Sequence, residues 1–261
     1  MIQTSKLADE RREGGALECT CLHGSVGMAA DWRGIAKDLA ATGIGSRAVD
    51  LWRFLEGGPL SMAGFAQALN AEAHGEVTRG RGRALLGYSM GGRLALHALL
   101  EKNPPWQAAV IIGAHPGLKT ESERKLRRAS DAEWAALALA GNWQAFVERW
   151  NTQAILGETA QRDPQAMNRL VMRRREVARS FVDWSLGAQE SLWNRLPEIS
   201  IPVLWVVGEN DLKFLTIAQE ACCRIPRGTL AMAPRSGHRV PWEAGAWFTE
   251  RVARFLQLGH L

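Results

Sequence analysis

Short apolar runs bounded by turn residues recur along this chain, separated by stretches in which apolar positions return every three or four residues. The runs read as strands buried on both faces, and the second pattern reads as one face of a helix. The predicted strands are ALECTCL at 16–22, SRAVDL at 46–51, RALLGYS at 83–89, WQAAVIIG at 106–113, IPVLWVVG at 201–208 and TLAMAP at 229–234. Helices are predicted over 30–42, where Trp32, Ile35 and Leu39 share a face, over 61–74, where Phe65, Ala68 and Leu69 do, and from Gly91 to Leu100. Two more are predicted over 215–223 and 241–257. Strands alternating with helices predict an α/β fold with a mostly parallel central sheet.

Residues 118–197 break that alternation. They favour helix, are rich in Arg and Trp, are interrupted by Gly141, Gly157, Pro164 and Gly187, and contain no predicted strand. The segment is expected to be a helical cap set into a core made of 1–117 and 198–261. It would lie above the C-terminal strand ends, where open α/β sheets bind ligands. There is no internal repeat and no low-complexity tract.

Composition narrows this picture. A chain of 261 residues with 46% apolar and 23% charged residues suits a single globular unit with a substantial core. No apolar run approaches the ~20 residues of a membrane span. The charged N-terminus MIQTSKLADERREGG has no apolar core of a secretory signal, so a cytoplasmic location is expected. Cys19-x-Cys21 and Cys222-Cys223 fit neither a zinc ribbon nor a pair of local disulfides, so free thiols are expected and no metal or cofactor is called for. The net charge is +5, and residues 119–180 hold twelve Lys and Arg against eight Asp and Glu. Without the motifs of a nucleic-acid module, that local excess suits a small anionic ligand. A monomer is the default, since nothing in the sequence sets an oligomeric state.

The candidate chemistry centres on Gly87-Tyr88-Ser89-Met90-Gly91, a G-x-S-x-G motif between a predicted strand and a predicted helix. There the motif forms a nucleophile elbow: a sharp turn carries the serine, and flanking glycines let the backbones approach. The elbow requires an acid and then a histidine later in the chain. His238, in the loop after the last strand, fits that order better than His23, His74, His97 or His260, and Asp211 in GENDLKF is the better acid than Glu209. Asp211 would orient His238, which would take the Ser89 proton. Oxyanion donors are expected from the backbone N–H groups of Met90 and Ser25.

LHGSVG, GYSMGG, GENDLKF and SGH together resemble the α/β-hydrolase superfamily over nearly the whole chain. GAHPGLKTESERKLRRASDAEWA at 113–135, with VERW and GAQESLW, is similar more specifically to 2-succinyl-6-hydroxy-2,4-cyclohexadiene-1-carboxylate synthases of menaquinone biosynthesis. The resemblance implies a lyase that eliminates pyruvate from a cyclohexene bearing three carboxylates, its serine–histidine pair moving a proton with no acyl-enzyme. Arginines would hold the carboxylates through guanidinium forks. Arg93 stands one helical turn after Ser89, and Arg124, Arg127 and Arg128 share i, i+3, i+4 spacing. By motif position Arg127 is the matching carboxylate ligand and Trp150 the matching cap aromatic. A third cation would come from Arg173-Arg174-Arg175, with Arg174 standing for a run the sequence does not separate. Tyr88 would line the pocket.

Other readings stand beside these. Helix arginines are commonly solvated or paired with acids such as Glu121, Glu123 and Asp131. Arg93 could pack its stem on the sheet, and Trp134, Trp143, Trp184 and Trp193 suit a core better than a pocket. Asp50-Leu51-Trp52-Arg53-Phe54 replaces the family's Asp-Leu-Pro-Gly-His-Gly turn, so one side of the pocket must differ. A serine carboxylesterase or thioesterase, a C–C bond hydrolase of an anionic substrate, and a non-catalytic receptor on the same scaffold are the alternatives.

Overall fold

The structure, a computed structural model, describes residues 17–76, 82–156 and 164–258, without the side chains of 164–166. The predicted N-terminal segment, Ala16, Gly157 and His260 lie outside those residues. The strands are β1 (Glu18–Leu22), β2 (Gly45–Val49), β3 (Arg83–Tyr88), β4 (Ala108–Ile112), β5 (Val203–Gly208) and β6 (Gly228–Ala233). They form one sheet in the order β2-β1-β3-β4-β5-β6, and every pairing is parallel. The order reverses beside β1, so the loops after β1 and β3 rise at a topological switch point.

Side-chain alternation divides the core in two. Ala84, Leu86 and Tyr88 of β3 face one side with Leu204 and Val206 of β5, whereas Leu85, Val203, Trp205 and Val207 face the other. The first side is covered by α1 (Arg33–Ala41) through Ile35 and Leu39, and by a C-terminal helix through Phe248 and Val252. The second is covered by α2 (Met62–Gly75) and α3 (Met90–Leu99), through Phe65, Leu69 and Leu94. Strands covered on both faces have no need of polar residues, which is why they appear as apolar runs.

Between β4 and β5 the described residues contain helices and no strand. These are α4 (Glu121–Ala140), α5 (Trp143–Asn151), α6 (Pro164–Arg169) and α7 (Arg174–Asp183). Helix α4 begins with a capping box, in which Thr120 and Glu123 satisfy each other's backbone N–H groups. Trp134, Phe146, Trp150 and Phe181 form an aromatic cluster inside this insertion. After β5 come α8 (Leu212–Arg224), then, past β6, α9 (Val240–Glu243) and α10 (Gly245–Gln257). The helix predicted over 241–257 is thus broken at Ala244, whose backbone leaves the helical region. The divergent turn after β2 folds as a short 3-10 helix, Leu51–Leu55. Trp52 is buried there and donates its Nε1–H to the Gly27 carbonyl at 2.8 Å. Among the described residues no helix is long and apolar enough to cross a membrane, and all four cysteines are free.

Candidate active site

Ser89 sits where β3 turns into α3, at φ 52° and ψ −110°, a conformation that costs a non-glycine residue of order 1–3 kcal/mol. The turn closes because two neighbours lack a Cβ. One added at Gly87 would lie 2.5 Å from the Gly91 carbonyl oxygen, and one at Gly91 would lie 2.4 Å from that of Leu22. The strained turn projects the serine Oγ away from the sheet, and hydrogen bonds from Ser89 N–H to Ile112 O and from Arg93 N–H to Ser89 O hold it.

Asp211 and His238 come from the loops after β5 and β6, 27 residues apart in sequence. His238 Nδ1 lies 2.6 Å from Asp211 Oδ2, and His238 Nε2 lies 3.1 Å from Ser89 Oγ. Asp211 also caps α8, its Oδ1 accepting the Phe214 N–H at 3.4 Å. Both side chains are buried, and the Phe214 ring stands 4.5 Å from the imidazole. A carboxylate on one ring nitrogen and a hydroxyl on the other is the arrangement that draws a proton from serine.

A cavity of about 140 Å³, open to solvent at its mouth, lies over this triad. Ser25, Tyr88, Arg93, Arg127 and Trp150, all singled out from the sequence, line it. Met90 follows Ser89 as the first residue of α3, a position whose N–H has no acceptor within its own helix. His23 ties the loop of Ser25 in place: its Nδ1 reaches Gly24 O at 2.9 Å, and its Nε2 accepts the Leu51 N–H at 3.2 Å. The Tyr88 ring is buried against His238 and Trp242.

The arginines divide. Arg93 is 7% exposed and donates to Gln189 Oε1 at 3.2 Å and to the Trp184 carbonyl at 2.8 Å. Among the described residues it has no carboxylate partner. Burial, and next the charge of Arg127, lowers its pKa from the ordinary arginine range to about 9, against an opposing pull from Asp131. Arg127 reaches the cavity while its Nε donates to Asp131 Oδ1 at 2.8 Å. Arg124 does not reach it: its Nε donates to Glu121 Oε2 at 2.8 Å on the outer side of α4. Arg174 does not either, because its guanidinium turns to the Ala138 and Gly141 carbonyls at the end of α4. The structure therefore brings neither of these two expected ligands to the cavity wall beside Arg93 and Arg127. Helical spacing brings Arg124 and Arg127 near each other without saying which of them faces inward.

Trp143, Trp184 and Trp193 are buried, and none of them lines the cavity. His115, Gln189 and Arg239 belong to the site and were not chosen from the sequence. His115 lines the cavity, and its Nδ1 accepts the Gly117 N–H at 3.0 Å, which leaves the proton on Nε2. Desolvation, then the charges of Lys213, Arg93 and Arg127, lowers its pKa to about 4, so it is neutral near pH 7. Gln189 holds Arg93 through Oε1, while its Nε2 donates to His115 O at 3.2 Å. Its only signal in the sequence was its place in GAQESLW. Arg239 was detectable only as the residue after His238.

Three comparisons set this geometry among known proteins. The family profile described as Serine aminopeptidase, S33 (Hydrolase_4) matches residues 60–239, which include Ser89, Asp211 and His238. A 2-succinyl-6-hydroxy-2,4-cyclohexadiene-1-carboxylate synthase of Pectobacterium atrosepticum is 30% identical over 240 residues, 90% of this chain and 92% of that protein. The Yersinia pestis protein of the same name is 31% identical over 242 residues, 90% of this chain and 85% of its own length. A Bacillus subtilis relative, provisionally named as the same synthase, is 35% identical over 178 residues, and the match spans only 65% of it. Among solved structures, MenH from S. aureus superposes with a TM-score of 0.84 at 21% identity, covering 94% of this chain and 95% of that one. A thermophilic esterase from Thermogutta terrifontis superposes at 0.73 with 19% identity, covering 95% and 92%.

Proposed function

We infer the function of this chain from the family to which it belongs, the 2-succinyl-6-hydroxy-2,4-cyclohexadiene-1-carboxylate synthases of the α/β-hydrolase fold. It is a lyase of menaquinone biosynthesis. It eliminates pyruvate from 2-succinyl-5-enolpyruvyl-6-hydroxy-3-cyclohexene-1-carboxylate to give 2-succinyl-6-hydroxy-2,4-cyclohexadiene-1-carboxylate. The observation that carries the reading at this site is the pair Arg93 and Arg127, two guanidinium groups facing the cavity over Ser89 and His238. An esterase for neutral substrates has no use for a buried cation without a carboxylate partner. A polycarboxylate supplies that partner.

In this reading Ser89 Oγ, relieved of its proton by His238, removes the ring hydrogen beside the succinyl carbonyl. The electron pair moves into an enolate, whose oxygen is held by the N–H groups of Met90 and Ser25. Collapse of the enolate shifts the ring double bond and breaks the bond to the enolpyruvyl oxygen. The departing enolpyruvate takes up a proton and ketonises to pyruvate. Asp211 keeps the His238 tautomer that accepts from serine. Tyr88 and Trp150 shape the pocket, and the helical insertion acts as its cap. No cofactor enters any step.

Ester hydrolysis is the second reading, because the 3.1 Å contact between Ser89 Oγ and His238 Nε2 would equally activate serine as a nucleophile. Assay of the purified protein separates the two. Pyruvate, followed by coupled reduction, should appear with the cyclohexene tricarboxylate, and p-nitrophenyl acetate should be turned over at least roughly a hundredfold less efficiently. Rapid ester hydrolysis with no pyruvate would overturn the lyase assignment.

A further inference from the structure

The divergent turn after β2 does not reshape the cavity over Ser89, since none of residues 50–54 lines it. It reaches instead to the loop after β1. There Gly24-Ser25-Val26-Gly27 makes a tight turn, closed by the Gly27 N–H on the Gly24 carbonyl at 3.1 Å. Val26 stands at φ 52° with its side chain fully buried, a conformation that a β-branched residue keeps only where its surroundings impose it. The turn has no slack at either end. A Cβ added at Gly24 would lie 2.7 Å from the Tyr88 ring, and one at Gly27 would lie 2.7 Å from Gly24 O.

Contacts from the β2 turn hold both ends. The Leu51 N–H can only donate, so His23 Nε2, 3.2 Å away, is the acceptor and the ring proton sits on Nδ1. That Nδ1–H donates to Gly24 O at 2.9 Å. At the other end, Trp52 Nε1–H donates to Gly27 O at 2.8 Å, and the indole stands 4.9 Å from the His23 ring. Adjacent residues of one 3-10 helix thus grip the two terminal carbonyls, Leu51 by way of His23 and Trp52 directly, with Ser25 and Val26 held between. Ser25 lines the cavity; Trp52 is buried and does not, so it acts on the reaction only through this turn.

We propose that Trp52 is a positioning residue for catalysis: its indole N–H, by holding the Gly27 carbonyl, keeps the turn in the strained form that aims the Ser25 N–H at the developing oxyanion. This role rests on Ser25 as an oxyanion donor, which the lyase and the ester readings share. Such a donor acts in the transition state, so loosening it lowers kcat and leaves KM alone. An indole that only fills space would affect stability and leave both constants unchanged.

Steady-state kinetics of the full chain test this, with β-(3-benzothienyl)alanine at position 52, in which sulfur replaces the indole N–H, and with Trp52→Phe. Each should lower kcat for pyruvate release roughly tenfold to a hundredfold and hold KM within about twofold, the donor being displaced and not deleted. Exchange of the Gly27 amide hydrogen, followed by NMR, should quicken at least roughly tenfold. The sulfur analogue fills the same space, so the comparison stands should the phenylalanine variant fail to fold. An unchanged kcat, a fall in kcat with a comparable rise in KM, or an unaltered Gly27 exchange rate would each overturn the proposal. The natural chain is assayed first. If it hydrolyses p-nitrophenyl acetate and releases no pyruvate, the lyase reading is lost and kcat for the acetate becomes the readout, because ester attack also forms an oxyanion. A chain active on neither would lose the oxyanion assignment and the role of Trp52 with it.

Discussion

Arg127 holds Asp131 and, in the lyase reading, a substrate carboxylate, and its replacement should show both. Its Nε donates to Asp131, whose side chain is only 3% exposed and which otherwise accepts from Ser185 Oγ. Removing one partner of a buried carboxylate is costlier than an ordinary surface change. Arg127→Ala should therefore lower catalytic efficiency for pyruvate release by roughly a hundredfold and lower the unfolding free energy by about 2 kcal/mol. Arg127→Lys should restore most of the stability, measured by urea denaturation, and little of the efficiency, because an ammonium group lacks the planar fork. Full activity in the alanine variant would show that Arg127 binds no substrate carboxylate. The residues of the triad were legible in the sequence because each stands in a short motif at the end of a strand. His115 and Arg239 were not, since nothing local marks a side chain that meets the cavity only after several loops converge, nor was Gln189, which reaches the site through Arg93.

At the scale of elements, the insertion is bound together by groups that the sequence offered as ligand contacts. Arg174 satisfies carbonyls at the C-terminal end of α4, a place where helices leave acceptors exposed and favour positive charge. Arg174→Ala should lower stability by about 1–2 kcal/mol and leave KM for the cyclohexene substrate within roughly twofold. A large rise in KM with unchanged melting temperature would return Arg174 to the site. Strand positions were read correctly to within one or two residues, because burial on both faces of a parallel sheet demands an apolar run. The helix predicted over 241–257 was not, since apolar spacing continues across Ala244 while the backbone breaks there. The turn after β2 shows the same limit. Its missing Pro and Gly were plain, but the sequence did not reveal that Trp52 would be buried against Gly27.

For the whole molecule, buried histidines set a pH dependence of stability. Desolvation, followed by the charges of Arg93 and Arg195, lowers the pKa of His97 to about 4, and His115 lies near the same value. In the unfolded chain each takes up a proton near its ordinary 6.5, so between about 6.5 and 4 the unfolded state binds more protons. The two imidazoles should thus make stability fall as pH drops through that window, with their contribution levelling off below it. His97 does not line the cavity, and its Nε2 is buried without a hydrogen-bond partner among the described residues. His97→Leu should flatten the slope of urea-derived stability against pH over that window and leave pyruvate release at pH 7 nearly unchanged; an unaltered slope would refute its role. Taken alone, the sequence determined the alternation of strands and helices, the order of serine, acid and histidine, and the family. Those features are written in local periodicity and in motifs bound to strand ends. Only the tertiary structure decided which arginines face the triad, because a helix displays its side chains all around its axis. Which side looks into a cavity depends on how that helix packs against elements distant in the chain.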